Sequence, residues 1–236
     1  MMKSMKKIVG LMAVAGMLMF PVKAIAADEQ LGIYVAPKVI YGLTYMKDFR
    51  YHDTLGDPDT SIGSDWDSTF GGSLAVGYDL SKKLNVPIRG ELEYAAFSKA
   101  EAEGDPWNNG YTNDFRQTNN IQTLFVNVYY DINTGTKFIP YIGAGMGAGF
   151  IRTKGRVDWG GEINNTGSKT VTNFAWNVGL GLGYQITNNI VLDVGYRFAD
   201  LGKVQTNWCN ETSFDWRLDT KRIYQHQFSM GARFTF

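Results

Sequence analysis

Apolar and polar residues alternate along most of this chain with a period of two, the pattern of strands that present one greasy and one polar face. Between residues 173 and 186 the even positions include Phe174, Trp176, Val178, Leu180, Leu182 and Tyr184, while the odd ones include Ala175, Asn177, Gly179, Gly181 and Gly183. A helix would space its apolar residues three and four apart, so this stretch predicts a strand. Residues 190–200 set Ile190, Leu192, Val194, Tyr196 and Phe198 against Asp193, Gly195 and Arg197. Residues 222–236 set Tyr224, Phe228, Met230, Ala232, Phe234 and Phe236 against Gln225, Gln227, Ser229, Gly231 and Arg233. Similar alternation runs through residues 69–80 and 86–100. Residues 32–47, 120–132 and 138–153 carry apolar or aromatic residues on both faces and read as strands from length and setting.

Eight strands result, and the connections between them alternate in length. Residues 48–68, 101–119, 154–172 and 201–221 make long ones; residues 81–85, 133–137 and 187–189 make short ones, with turn formers such as Asn133, Gly135 and Asn188. The expected fold class is all-β: an eight-stranded antiparallel up-and-down transmembrane β-barrel, with short turns on one rim and long loops on the other.

A water-soluble barrel would show the same alternation with its apolar face turned inward. Volume argues against that. About five large apolar residues on each strand exceed what an eight-stranded bore can hold, since side chains only just fill it. The polar face, by contrast, carries glycine rows, Gly143, Gly145, Gly147 and Gly149, then Gly179, Gly181 and Gly183, which leave room for Phe125, Tyr129 and charged groups. Taken inward, that face places Lys38, Arg89, Arg197 and Arg233 with Glu91, Glu93 and Asp193 in the lumen, close to charge balance. A paired network of these seven is expected to plug the bore, because buried charge is tolerated only when paired and hydrogen-bonded.

Aromatic residues fall near opposite ends of the predicted strands: Phe70 and Tyr78, Phe138 and Phe150, Phe174 with Trp176 and Tyr184, and Tyr224 with Phe234. Spacings of eight to twelve residues span roughly the 25 Å apolar band of an outer-membrane barrel once strand tilt is included, which predicts two aromatic girdles.

The chain ends bear on location. Lys3, Lys6 and Lys7 precede a short apolar run from Ile8 to Phe20, and Ala24-Ile25-Ala26 gives a small-x-small cleavage pattern, so residues 1–26 are expected to be a cleaved signal peptide and residues 27–236 the barrel domain. Thirteen apolar residues fall short of the roughly 20 that cross a bilayer as a helix. Without residues 1–26, which carry four lysines and no acids, 19 basic residues face 23 acidic ones, a net charge of −4 that speaks against a nucleic-acid partner. Cys209 is the single cysteine and cannot form an internal disulfide.

The glycine-rich runs Tyr141 to Gly149 and Gly179 to Tyr184, with a last strand closing on Phe236, resemble the outer-membrane protein β-barrel family that includes the transmembrane domain of outer membrane protein A and the Opa-type surface adhesins. The resemblance covers essentially the whole mature sequence and implies residence in the outer membrane of a Gram-negative cell envelope. It implies as partners outer-membrane lipid and lipopolysaccharide, and, during biogenesis, periplasmic chaperones and a barrel-assembly machinery that reads Phe228, Met230, Phe234 and Phe236. No peptidoglycan-binding domain follows the barrel in this sequence, so no cell-wall tether is assigned.

Function is expected in the four long loops, as envelope structure, surface antigen or adhesin with a host or surface ligand. Trp66, Trp107, Trp159, Trp208 and Trp216 fall there, either as interface anchors or as loop-to-loop packing. Asp48, Asp53, Asp57, Asp59, Asp65 and Asp67 crowd the first loop without the spacing of a calcium loop, and neither a metal nor a cofactor is expected. The competing classes are a porin-like small-solute pore and a lipid A-modifying enzyme. Acyl chemistry needs a base beside a nucleophile, and only His52, in the first loop, and His226, on the lipid-facing side of the last strand, are available. No enzyme activity is expected.

Overall fold

The computed structural model describes residues 31–55, 60–104, 113–159, 162–210 and 215–236. The expected signal peptide, Trp107, Asp57 and Asp59 lie outside the described residues. Twelve strands are present among those described: β1 (Ile33–Asp53), β2 (Thr60–Asp79), β3 (Ile88–Phe97), β4 (Ala100–Gly104), β5 (Asn113–Asp131), β6 (Phe138–Trp159), β7 (Glu162–Asn165), β8 (Lys169–Thr187), β9 (Ile190–Asp200), β10 (Val204–Gln205), β11 (Cys209–Asn210) and β12 (Asp215–Thr235). A single-turn helix, α1 (Ser81–Leu84), joins β2 to β3. No helix among the described residues is long and apolar enough to cross a membrane, which says nothing about strands.

The wall is a closed antiparallel ring of eight staves in the order β1, β2, β3 with its continuation β4, β5, β6, β8, β9 and β12, which pairs back onto β1. Closure pairs first stave with last, Tyr34 opposite Thr235, and the Phe236 amide donates to the Ile33 carbonyl at 2.9 Å. Closure leaves the lower part of the ring without an unpaired edge, which is the condition for a sheet in hydrocarbon. β7 pairs antiparallel with the top of β6, and β10 and β11 pair with the top of β12. All three short connections lie at the rim that holds both described ends of the chain; in one, Asn133 Oδ1 accepts from the Gly135 amide at 2.9 Å, with Gly135 at φ 68°.

At the other rim the staves run far into the stretches expected as loops. β1 continues to Asp53, β2 begins at Thr60, β5 at Asn113, β8 at Lys169 and β12 at Asp215, while β6 reaches Trp159. Most of residues 48–68, 101–119, 154–172 and 201–221 is therefore wall or short paired strand. The reason is legible on β6. Its outward residues pass from Ile142, Met146 and Phe150 to Arg152, Lys154 and Arg156, while its inward ones pass from Gly143, Gly145, Gly147 and Gly149 to Ile151, Thr153 and Val157. The strand is unbroken, but its apolar side switches from outside to inside along its length. A search for one apolar parity loses the strand at that boundary.

The apolar face therefore points outward only along the lower part of each stave. There Leu74, Val76, Leu92, Tyr94, Val126, Val128, Leu180, Val194 and Met230 are exposed. Above it, large apolar residues fill the bore.

Candidate functional site: a charge-paired bore beneath an apolar core

The lower bore is built from the inward positions of β1, β3, β5, β9 and β12. Strand alternation delivers Lys38 from β1, Arg89, Glu91 and Glu93 from β3, Asp131 from the end of β5, Asp193 and Arg197 from β9, and Arg233 from β12. These eight groups form one chain of alternating sign. Arg197 meets Glu93 at 2.6 Å, Glu93 meets Lys38 at 2.7 Å, and Lys38 meets Glu91 at 2.9 Å. Glu91 meets Arg89 at 2.8 Å, Arg89 meets Asp131 at 2.9 Å, Asp131 lies 3.7 Å from Arg233, and Arg233 meets Asp193 at 2.7 Å. The chain begins and ends on β9 and holds four cations and four anions.

All seven charges singled out from the sequence lie in this chain. Asp131 was missed, although it shares the inward parity of Tyr129 on the same strand. Neutral groups complete the lining: Tyr34 donates to Glu91 at 2.9 Å, Arg197 donates to Gln227, and Asn177 donates to Asn127 at 3.0 Å. The Arg89 guanidinium lies 4.1 Å from the Tyr129 ring centre and 4.6 Å from that of Tyr141, held between two aromatic faces. The inward glycines make this possible. A Cβ on Gly143 would overlap the Tyr129 ring, one on Gly181 the Tyr141 ring, and one on Gly77 the Tyr34 ring.

A cavity of about 30 Å³ lies beside Lys38, Glu93 and Arg197. A wider vestibule of about 490 Å³ opens at the short-turn rim, lined by Asp79, Asn85, Asp131, Gln185 and Arg233.

Above the charges the bore is apolar. Met46, Phe49, Phe115, Ile121, Ile151, Val157, Leu201, Trp216, Leu218 and Ile223 are all at most 1% exposed and belong to one cluster. Tyr51 packs edge-on to Phe115 at 5.2 Å. The polar groups buried here satisfy one another: Thr220 donates to Gln117 Oε1 at 2.9 Å, and Gln117 donates to Thr153 at 3.0 Å.

On the outside, Phe70, Tyr78, Phe138, Phe150, Phe174, Trp176, Tyr184, Tyr224 and Phe234 share the lipid-facing parity of their strands. Phe138 and Tyr184 pair at 5.1 Å at the short-turn rim. At the other level a run of rings crosses five staves: Trp66 to Tyr45 at 4.6 Å, Tyr45 to Tyr224 at 6.4 Å, Tyr224 to Phe198 at 5.5 Å, and Phe198 to Trp176 at 5.8 Å. Tyr45, Trp66 and Phe198 were absent from the expected girdle because each lies beyond, or within, the segment used to set its pairs.

Along 225 of its 236 residues, from 12 to 236, the sequence matches the family described as Outer membrane protein beta-barrel domain. The chain belongs to the outer-membrane protein β-barrel family. It is 32% identical to Outer membrane protein PagN of Salmonella typhimurium strain LT2, over 89% of this chain and 92% of that one. It is 28% identical to Opacity protein V28 of Neisseria gonorrhoeae, over 81% of this chain and 82% of the relative. The crystal structure of OprG from Pseudomonas aeruginosa shares its fold at 13% identity and a TM-score of 0.50, covering 88% of this chain and 97% of that one. This is an integral protein of the bacterial outer membrane.

In this outer-membrane barrel several residues expected in loops sit in the wall. Trp66 faces outward from β2 and stacks on Tyr45, whereas Trp216 is fully buried in the upper core. Trp208 keeps 40% of its surface exposed, with the Arg217 guanidinium 4.6 Å from its ring. His52 belongs to β1 and lies 3.2 Å from Asp219, while His226 faces outward and its Nδ1 pairs with the Tyr196 hydroxyl at 2.8 Å. Among the described residues, no cluster of three or more His, Cys, Asp or Glu could hold a metal ion.

Proposed function

We propose that this outer-membrane barrel is a closed anchor that carries a rigid extracellular platform for contact with host or surface partners, and that it neither conducts solutes freely nor catalyses a reaction. The observation that supports this most directly is the stacking of two different fillings in one bore. A continuous chain of eight paired charges occupies the lower half, and an apolar core around Trp216, Phe115 and Phe49 occupies the upper half. An ion passing through would have to break buried ion pairs and then cross a dry layer, both costly.

The apolar upper core also supports the recognition role. Loops borne on a packed, water-exposed continuation of the barrel are held further from the lipid, and held more firmly, than loops leaving directly at the membrane surface. The two histidines lie apart, one at Asp219 and one on the outer wall at Tyr196, so they do not join in one catalytic arrangement.

Residues 1–26 are read as the export signal removed on maturation, and the alternating residues Phe228, Met230, Phe234 and Phe236 as the assembly signal; N-terminal sequencing of the mature protein checks the first. Planar-bilayer recordings test the closed bore, with no stable large-conductance channel expected. A cell-binding assay comparing intact protein with a version shortened at residues 56–59, 105–112 and 211–214 tests the platform: undiminished binding by the shortened protein would overturn it.

A further inference from the structure

The upper wall does not close into a ring. Between β2 and β3 the ladder ends at Gly71 opposite Phe97, and between β8 and β9 it ends at Trp176 opposite Asp200. The β5–β6 ladder, by contrast, continues to Asn113 opposite Trp159, and the β1–β12 ladder to Asp53 opposite Trp216. Among the described residues no backbone ladder joins β2 to β4, or joins β7 and the upper part of β8 to β10 and β11. Above Phe70 and Trp176 the wall is therefore two sheets. One holds β2, β1 and β12 with β10 and β11; the other holds β4, β5 and β6 with β7 and the upper part of β8. Each carries two of the four connections at this rim.

Side chains bridge both seams. At the first, the Asp65 carboxylate accepts from the amides of Trp66 at 2.8 Å and Glu103 at 3.2 Å, and that of Asp67 from the amides of Ser68 and Glu101, both at 2.9 Å. Two carboxylates thus stand where a ladder would run, each holding one amide from either strand. At the second, Asn173 Nδ2 donates to the Leu201 and Lys203 carbonyls at 2.9 and 2.8 Å, and the Cys209 thiol lies 3.5 Å from the Asn165 carbonyl oxygen. Across the core, Tyr51 packs on Phe115 and Thr220 donates to Gln117. Within each sheet the backbone ladder fixes the strands, whereas faces joined by side chains can slide on one another. We propose that the two sheets act as valves that pivot as rigid bodies about the ladder ends at Phe70 and Trp176, changing the spacing between the two pairs of loops while the lower ring stays shut. Asp65 and Asp67 are the latch of the first seam. The platform remains rigid within each half, and the inference holds whichever partner the loops contact.

The test uses the full barrel in lipid nanodiscs, with amide hydrogen exchange read residue by residue by NMR. Trp66, Ser68, Glu101 and Glu103 should exchange at least about tenfold faster than the β5 amides from Phe115 to Ile121, which lie beside them inside ladders and do not share a local opening of the seam. Asparagine offers one acceptor oxygen and a donor where aspartate offers two acceptors. In D65N/D67N the seam amides should therefore speed up by about a further tenfold, with the β5–β6 and β1–β12 amides unchanged. Spin labels at S61C and K154C, one on each sheet, should give a broader distance distribution than labels at E101C and T170C within one sheet, and D65N/D67N should broaden only the first. Cys209→Ser in every labelled sample removes the native thiol and keeps a donor. Heat-modifiable migration verifies that each variant is folded. Equal protection of seam and ladder amides in the native chain, equally narrow distributions for the two label pairs, or broadening of both pairs by D65N/D67N would overturn the proposal.

Discussion

Asp48 and Lys221 meet at 3.3 Å across the β1–β12 seam, on the rung between Lys47 opposite Arg222 and Phe49 opposite Thr220. Both strands change face at this rung. On β1 the buried residues Met46 and Phe49 are three positions apart, and on β12 so are Ile223 and Thr220, where regular alternation would give two. Asp48 makes the step with φ 54°, a conformation that aspartate and asparagine tolerate better than most residues. It turns Phe49, Tyr51, Trp216 and Leu218 into the bore as the wall leaves the membrane.

The Asp48 carboxylate accepts two hydrogen bonds from Arg50, both at 2.7 Å, and these with Lys221 hold its pKa at about 2, below the ordinary 3.8. A depressed carboxylate stabilises the fold fully above its unfolded pKa and loses that contribution as pH falls through the folded value. D48N keeps a residue suited to the backbone and removes the charge. It should be less stable than the native chain at pH 7 in urea titrations, with the difference closing between pH 3.8 and about 2.

In the bore, Glu93 joins Arg197 to Lys38. Glu93→Ala leaves Arg197 without its carboxylate partner and should cost about 3–5 kcal/mol, as breaking a buried pair does. Replacing Glu93 and Arg197 together by apolar residues of similar size should recover much of that loss, which urea midpoints of the single and double variants would measure.

Gly143 and Tyr129 occupy one space. Gly143→Ala should destabilise the barrel by roughly 1–3 kcal/mol through overpacking, and Tyr129→Ala in the same chain should relieve part of it. A double-mutant cycle with no coupling between the two positions would contradict the packing described.

The membrane boundary can be read by placing arginine along the outer face of β6. Met146 is 62% exposed among apolar neighbours, and Met146→Arg should cost about 2–4 kcal/mol, as charge at the bilayer midplane does. Phe150→Arg should cost less, and Thr172→Arg, next to it on β8, least. A uniform cost across the three would refute the boundary between Phe150 and Arg152.

The sequence by itself determined the eight staves of the ring, the short turns, and the side of each stave that meets lipid in its lower part. Alternation marked five of the staves, length and setting the other three, and the limited volume of an eight-stranded bore decided which face points outward. It also determined seven of the eight bore charges, since the inward parity marks them; Asp131 escaped because it stands at a strand end, where the pattern has too few residues to be read. Only the tertiary structure decided which charge meets which, because Lys38 and Glu91 are brought together by closure of the ring and not by any local rule. It alone extended the staves through the expected loops and turned Trp216 inward. An alternating pattern reports the contrast between two faces without saying which is wet, and here the wet face changes along a single strand.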